Sequence, residues 1–468
     1  MTSSTSHTPG APAVTTATAG ATTAGATLPQ PRVALTQRPG RWLVHWDPED
    51  PGQWGRGGSA IARRNLAISV FAEFLGFAVW ALWSIVVPQL NSAGFSLTVD
   101  QMFWLVSVPA LVGAALRLPY TFAVPLFGGR NWTIVSALLL LIPTLALVYV
   151  VQNPATPFGV LLFVAALAGL GGGNFASSMA NISFFYPEAQ KGKALGLNAA
   201  GGNMGTAAVQ FAVPLVIVTG VGLALERAGL IFLPLILLAA WLAWRHMDNL
   251  DGTTSDLRSF GRAAGMRHTW IISFIYIGTF GSFIGFSGAF PTLLKSQFPD
   301  MSLSIAFLGA LVGSLSRPLG GMFADRFGGA PITILSFAAM SLGTVGAIFG
   351  ITGQNFTLFF GSFLLLFVFT GVGNGSVYRM IPAVFRRDAG TEAAGVLRAK
   401  KAAAGCIGIA GAVGAVGGFL IPRGFALSNS MTGSLTAALW VFIGAYAAMA
   451  VTTYVVYVRG RAADAARI

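Results

Sequence analysis

The sequence predicts an all-α polytopic membrane protein, with twelve transmembrane helices built as two six-helix pseudo-repeats. Three observations carry that reading. Only 9% of the 468 residues are charged, against 54% hydrophobic, whereas soluble domains carry about 25% charged residues. Apolar runs of twenty or more residues recur along most of the length, each able to cross a ~30 Å hydrocarbon core as a helix, and mean hydropathy is +0.71. The second half also repeats residues of the first at an offset of 200. So few charges cannot coat the polar surfaces that a soluble chain of this size needs. That excludes a soluble enzyme, a disordered scaffold and a nucleic-acid-binding protein.

Residues 1 to about 40 are low-complexity Ala, Thr, Gly, Ser and Pro, too poor in apolar bulk to fold. They lack the basic start and apolar core of a secretory signal. Residues 1–64 are therefore read as a cytoplasmic tail, disordered to about residue 40. The three tryptophans of RWLVHWDPEDPGQW (41–54) suit a membrane interface. Six apolar spans follow, at 66–90, 101–127, 132–151, 157–185, 194–219 and 227–245, and form an amino-terminal half over 65–245. The longest internal polar stretch, 246–268, reads as a cytoplasmic linker. Six more spans, at 269–294, 302–323, 331–352, 355–384, 393–422 and 434–458, form a second half over 269–458, and 459–468 is a cytoplasmic carboxyl tail.

The basic residues orient this topology. Twenty-two of the 28 Lys and Arg fall in tails and loops on one side; three (Arg227, Lys295, Arg423) fall in loops on the other, and Arg117, Arg317 and Arg379 lie within spans. Such a bias sets both termini in the cytoplasm, in a multi-pass protein of the cell's inner (cytoplasmic) membrane. It also accounts for the net charge of +13 without a nucleic-acid partner. The single cysteine, Cys406, excludes an internal disulfide and a cysteine-cluster metal site, and four scattered histidines offer no metal cage. No cofactor and no metal are expected.

The repeat is gapless. VGAALRLPY (112–120) lies over VGSLSRPLG (312–320), pairing Arg117 with Arg317; FGG recurs at 127–129 and 327–329; GGGN (171–174) lies over GVGN (371–374), pairing Asn174 with Asn374; and Gly205 lies over Gly405. Parallel six-helix repeats about an axis along the membrane normal describe the major facilitator architecture, whose substrate site lies at the midplane between the halves.

Arg117 and Arg317 lie about sixteen and fifteen residues into their spans, too deep to reach the interface. A guanidinium there costs roughly 2.5–3.5 kcal/mol on insertion scales. One reading is a structural arginine held by backbone carbonyls or an acid. The other is an anion site, and the acid inventory favours it: of 15 Asp and Glu residues only Glu73 falls deep within a span, so at least one arginine lacks a carboxylate partner. Arginine's planar fork suits a planar oxyanion, and one from each half would clamp a small anion. Glu73 itself is either a proton carrier for a transport cycle or a carboxylate held by an arginine or a neighbouring helix. Arg379, in the tenth span, is a pathway or gate candidate, or a structural residue bonded to helix ends.

Spans four, five, ten and eleven are loaded with glycine, as in AGLGGGNFASSMANISFFYP (168–187) and AAAGCIGIAGAVGAVGG (402–418). Small residues let helix backbones nearly touch and slide. GGGN lies inside an apolar span with no strand before it, so it is not a phosphate loop. Asn174 and Asn374, set among these glycines, are read as facing the pathway.

At these residues the chain resembles the NarK-type nitrate/nitrite porters of the major facilitator superfamily. The family's two nitrate signatures match GLGGGNFASSMANISFFYPEAQKGKALGLNAAGGNMG (169–205) and GVGNGSVYRMIPAVF (371–385). Its arginine-bearing helices match LRLPYTFAVPLFGGR (116–130) and SRPLGGMFADRFGG (316–329), its seventh helix FGSFIGFSGAFP (280–291) and its amino-terminal stretch WDPEDPGQW (46–54), so the resemblance runs from about 42 to 458. It implies Arg117 and Arg317 as the substrate arginines, Phe77, Phe175, Tyr276 and Phe280 as the aromatic walls, and Asn203 as the signature asparagine. It also implies nitrate and nitrite as substrates and a functional monomer in the lipid bilayer. The family holds both exchangers and proton-coupled symporters. This chain departs from well-described exchangers in having an acid at Glu73 and Arg, not Gln, at Arg379. The acid points to nitrate/proton symport, with protons as the coupling partner; nitrate/nitrite antiport is the alternative. A porter for another small anion and an anion receptor are the competing functions. The residues carry no protease, esterase or paired-carboxylate motif that would make the chain an enzyme.

Overall fold

The computed structural model describes residues 35–219, 222–253, 257–387 and 392–459. Most of the stretch read as a disordered tail, and residues 460–468 of the carboxyl tail, lie outside them. Twelve helices are long and apolar enough to cross a membrane. They are α1 (Pro51–Ala93), α2 (Val99–Phe127), α3 (Gly129–Val150), α4 (Phe158–Phe185), α5 (Glu188–Ile217), α6 (Arg227–His246), α7 (Arg267–Gln297), α8 (Leu303–Phe327), α9 (Gly329–Thr352), α10 (Phe356–Arg387), α11 (Ala394–Thr432) and α12 (Thr436–Val458). The two groups of six meet where α2 packs on α11, α5 on α8 and α1 on α7.

Local chemistry sets where these helices start and bend. Thr98 accepts from the Gln101 amide while Gln101 caps back onto Thr98, a reciprocal box that starts α2. Gly128 and Gly328, repeat-related, carry φ of 86° and 93° and turn the chain between α2 and α3 and between α8 and α9. The glycines in the spans serve packing. A Cβ on Gly171 would lie 2.2 Å from the Gly76 carbonyl oxygen on α1, and one on Gly371 would lie 2.1 Å from that of Gly313 on α8. No other residue fits such crossings.

One sequence expectation changes here. Helix α11 runs on to Thr432, so Arg423 lies within it rather than in a loop; its Nη1 donates to Asp100 of α2 at 2.9 Å, and its guanidinium sits 4.1 Å over the Trp104 ring. With Phe103 stacked on Phe425 at 6.0 Å and Phe211 edge-on to Phe307 at 4.9 Å, this contact closes one end of the interface between the halves.

The other end carries a strap built from the tryptophan segment and the residues just before it. Thr36–Arg38 pairs antiparallel with Trp42–Val44, which pairs parallel with Asn249–Leu250 after α6. Arg41, at φ 61°, donates to the carbonyls of Met247 (2.7 Å) and His246 (3.2 Å) and to buried Asp248 (2.7 Å). It thereby satisfies carbonyls that the end of α6 leaves open. Trp46 and Trp54 pack on Phe185 and Tyr186, and Glu49 accepts the Glu188 amide at the start of α5. A short helix, Leu257–Ala264, leads into α7, with Phe260 edge-on to Phe122 of α2.

Candidate functional site

Arg117 is 2% exposed and Arg317 7% exposed, in α2 and α8. Neither forms an ion pair with a carboxylate among the described residues. Nη1 of Arg117 donates to the Gly411 carbonyl of α11 at 2.7 Å, bridging the two halves. Its Nε and Nη2 have no partner. Those two N–H groups share one edge of the guanidinium, the edge that binds an oxyanion bidentately. Nη2 of Arg317 donates to the Tyr276 hydroxyl at 3.5 Å, and its Nη1 has no partner. Buried cationic donors left unpaired are costly. Here three of them are gathered around one ring.

That ring is Phe175 of α4. The Arg117 guanidinium lies 4.5 Å from its centroid and that of Arg317 lies 6.0 Å from it. Phe280 of α7 stacks on Phe175 at 6.2 Å and on Tyr276 at 5.2 Å, and lies 4.9 Å from the Arg117 guanidinium. Phe77 of α1 is edge-on to Phe175 at 6.1 Å. The aromatics thus hold both cations by their π faces and keep the site apolar at its walls. Tyr276 donates to Oδ1 of Asn374 at 2.7 Å, which fixes the hydroxyl beside Arg317. A widened turn over Ile277–Gly281 in α7 sets Tyr276 and Phe280 on this face.

The structure therefore gathers Arg117, Arg317, Phe77, Phe175, Tyr276, Phe280 and Asn374. Asn174, next to Phe175, is buried with both amide atoms unpartnered, and Asn203 is buried with Oδ1 unpartnered. Glu73 is fully buried but pairs with neither arginine: Oε2 accepts from the Ser178 hydroxyl and from Nδ2 of Asn198 at 2.5 Å. Arg379 stands apart. It lies in the last third of α10, side chain 53% exposed, in an ion pair with Asp325 of α8.

Two site residues escape the sequence reading. Tyr378 of α10 lies 5.5 Å under the Arg317 guanidinium, and Trp80 of α1 lies 5.7 Å from that of Arg117. The repeat held a signal for both: at the offset of 200, Trp80 is the mate of Phe280 and Tyr378 the mate of Ser178. With three buried cationic donors, π-faced walls and amide groups, the arrangement can hold and orient a small planar anion.

A helical bundle in two groups of six, with buried cationic donors gathered between them, has the plan of a secondary transporter. The model of the Major Facilitator Superfamily matches residues 66–422, and the chain belongs to that family. It is 42% identical over 444 residues to a nitrate/nitrite transporter, NarU, of Salmonella typhimurium, covering 89% of this chain and 96% of the relative. It is 40% identical to NarU of Escherichia coli over 90% and 97% of the two chains. It is 37% identical to a probable nitrate/nitrite antiporter, NarK2, of Thermus thermophilus over 88% and 96%. Among solved structures, the D-xylose-proton symporter superposes with a TM-score of 0.65 at 15% identity, over 84% of this chain and 97% of that one, a likeness of fold alone.

Proposed function

We propose that this protein carries nitrate, and nitrite with it, across the cytoplasmic membrane by alternating access. The observation that carries the reading is the unpartnered Nε–Nη2 edge of buried Arg117, set with the unpartnered Nη1 of Arg317 against one aromatic ring. Nitrate is planar and weakly hydrated, so it accepts in-plane hydrogen bonds from both guanidinium groups while the rings cover its faces. Relatives at 42% and 40% identity bear the name nitrate/nitrite transporter. The strap end of the bundle is assigned to the cytoplasm, since 22 of the 28 Lys and Arg lie on that side of the topology. The Asp100–Arg423 end then faces outward. The chain works as a monomer, with one anion path between its two groups of helices.

Coupling follows from charge. Nitrate entry moves one negative charge against an inside-negative potential, at about 2.3 kcal/mol per 100 mV. Symport with protons cancels that charge, and Glu73 is the one carboxylate placed deep in a span. A second reading, exchange of nitrate for nitrite, is supported by the Thermus relative's name as a probable antiporter. The test is flux of labelled nitrate into proteoliposomes, with internal nitrite and the pH gradient varied separately. Uptake driven by an inward proton gradient without internal nitrite supports symport; uptake that requires internal nitrite and ignores pH supports exchange. No nitrate flux under either condition overturns the transport reading.

A further inference from the structure

Between the arginine site and the Asp100–Arg423 end lies a second cavity. Its volume is about 30 Å³, room for about two waters, and it is lined by Trp80 and Ser84 of α1, Pro109 of α2, Thr206 of α5, Ser287 of α7 and Gly418 of α11. Its depth follows from the sequence. Ser84, Ser287 and Gly418 lie seven residues beyond Phe77, Phe280 and Gly411, on helices that run towards that end. Seven residues are two helical turns, about 10 Å. The cavity is therefore the next space outward from the arginines, and the Trp80 indole stands between the two. That ring lines the cavity, lies 5.7 Å from the Arg117 guanidinium and donates from Nε1 to the Pro109 carbonyl at 2.7 Å.

One side chain crosses from group to group here. Gln210 of α5 is 1% exposed, and both protons of its Nε2 are committed. One goes to the Ser84 hydroxyl of α1 at 3.1 Å, the other to the Ser287 backbone carbonyl of α7 at 2.7 Å. α1 and α5 belong to the first group of helices and α7 to the second. The bond to Ser287 answers a need that Pro291 creates. A helical carbonyl accepts from the N–H four residues on, and four residues after Ser287 stands Pro291, which has none. A buried carbonyl without a donor is costly. The Ser287 hydroxyl, in the same wall, also has no partner.

We propose that Gln210 is a positioning residue that holds the outer end shut, because its amide supplies the donor missing from α7 only while the two groups are together. The inference rests on the alternating-access reading. As the groups part at this end, α7 leaves α5, and water entering the gap takes over the carbonyl and the amide. With Gln210 the bond favours the closed state about fivefold; a side chain without a donor leaves the carbonyl unpaired in the closed state alone, a change of about tenfold in the open fraction. The repeat does not require the bond: the mate of Gln210 is Ala410 and that of Ser287 is Val87, so the mated positions hold neither the amide nor the hydroxyl.

The experiment is thiol modification of the purified full-length protein in detergent, free of nitrate, by a small water-soluble methanethiosulfonate, with each site read by mass spectrometry. Thr206→Cys places a thiol in the cavity, where the reagent arrives as the outer end opens. Native Cys406, buried in α11 and five residues before Gly411, reports loosening elsewhere in the bundle. Gln210→Leu keeps the bulk and loses the donor. It should speed modification of the introduced thiol about tenfold, with Cys406 no faster. Pro291→Ala gives the Ser287 carbonyl an N–H, and in that background Gln210→Leu should lose most of its effect. A cavity rate that Gln210→Leu leaves unchanged overturns the proposal. So does an equal rise at Cys406, which marks general loosening, and so does an effect undiminished by Pro291→Ala. Should Gln210→Leu fail to fold, Gln210→Asn, one carbon short of the carbonyl, replaces it under the same outcomes. Nitrate takes no part in this measurement, so failure of the flux assay counts against the transport reading, and failure here counts against Gln210 alone.

Discussion

The two halves of this protein share a frame and differ in what they place on it. Arg117 and Arg317 are mates, as are Asn174 and Asn374, and Thr133 and Thr333 make the same 2.8 Å bond to mated glycine carbonyls. Around that frame the second half is more nearly satisfied: Asn374 accepts from Tyr276 and Thr333 shares a 2.7 Å bond with Ser376, while Nη1 of Arg317 stays unpaired. The first half leaves both amide atoms of Asn174, Oε1 of Glu73 and two donors of Arg117 unpaired. Unpaired buried polar groups are a cost that packing alone gives no reason to keep. What the repeat holds in common forms the proposed anion clamp; where it diverges, at Glu73 against Ser273, one half has a carboxyl where the other has a hydroxyl.

The largest effect expected is on the shared arginines. Arg117→Lys or Arg317→Lys keeps the charge and loses the fork. That forfeits a charge-assisted pair of hydrogen bonds, about 1.5–3 kcal/mol, or about 10- to 100-fold in nitrate affinity. Nitrate uptake into proteoliposomes should fall accordingly while expression and unfolding temperature hold. Near-normal affinity in both variants breaks the clamp. Next comes the divergent pair. Glu73→Gln should abolish accumulation driven by a proton gradient while nitrate exchange at equal pH persists in part. Ser273→Ala, at the mated position, should leave coupling unchanged. Accumulation that survives in Glu73→Gln makes Glu73 structural and gives the exchange reading the lead.

A smaller effect belongs to the hydroxyl that ties Arg317 to Asn374. Tyr276→Phe keeps the ring stacked on Phe280 and removes one bond of about 1 kcal/mol, so KM for nitrate should rise about fivefold. A KM within error of wild type removes Tyr276 from the site. The smallest effect is at Arg379. An exposed ion pair contributes about 0–1 kcal/mol, and Arg379→Gln should leave KM within about twofold. A larger change returns it to the pathway.

Much of this was legible before the structure. Hydropathy marked the twelve spans because a helix crossing lipid must be apolar over most of its length. The arginines stood out because a charge in such a run needs a reason. The aromatic walls were reachable only through the family resemblance, since Phe and Tyr in an apolar span give no signal of which face they take. Tyr378 and Trp80 are missed for that reason, although the offset of 200 places Trp80 over Phe280. Depth was the other blind spot. Apolar runs do not say where a helix ends, so Arg379, within the tenth span, is left between a pathway or gate role and a structural one, and Arg423 reads as a loop residue. The first is half exposed beside Asp325, and the second is helical and bonded to Asp100. Nor does composition reveal that the tryptophans at 46 and 54 pack on Phe185 and Tyr186, because those contacts span more than 130 residues of sequence.

The most direct test of the shared anion site is a calorimetric titration of nitrate into the purified full-length protein and its two lysine variants. If both guanidinium groups hold one ion against Phe175, the wild type binds one nitrate per chain, and Arg117→Lys and Arg317→Lys each weaken that same site by about 10- to 100-fold. Two independent sites, one lost with each substitution, or an affinity that either lysine leaves unchanged, would contradict it.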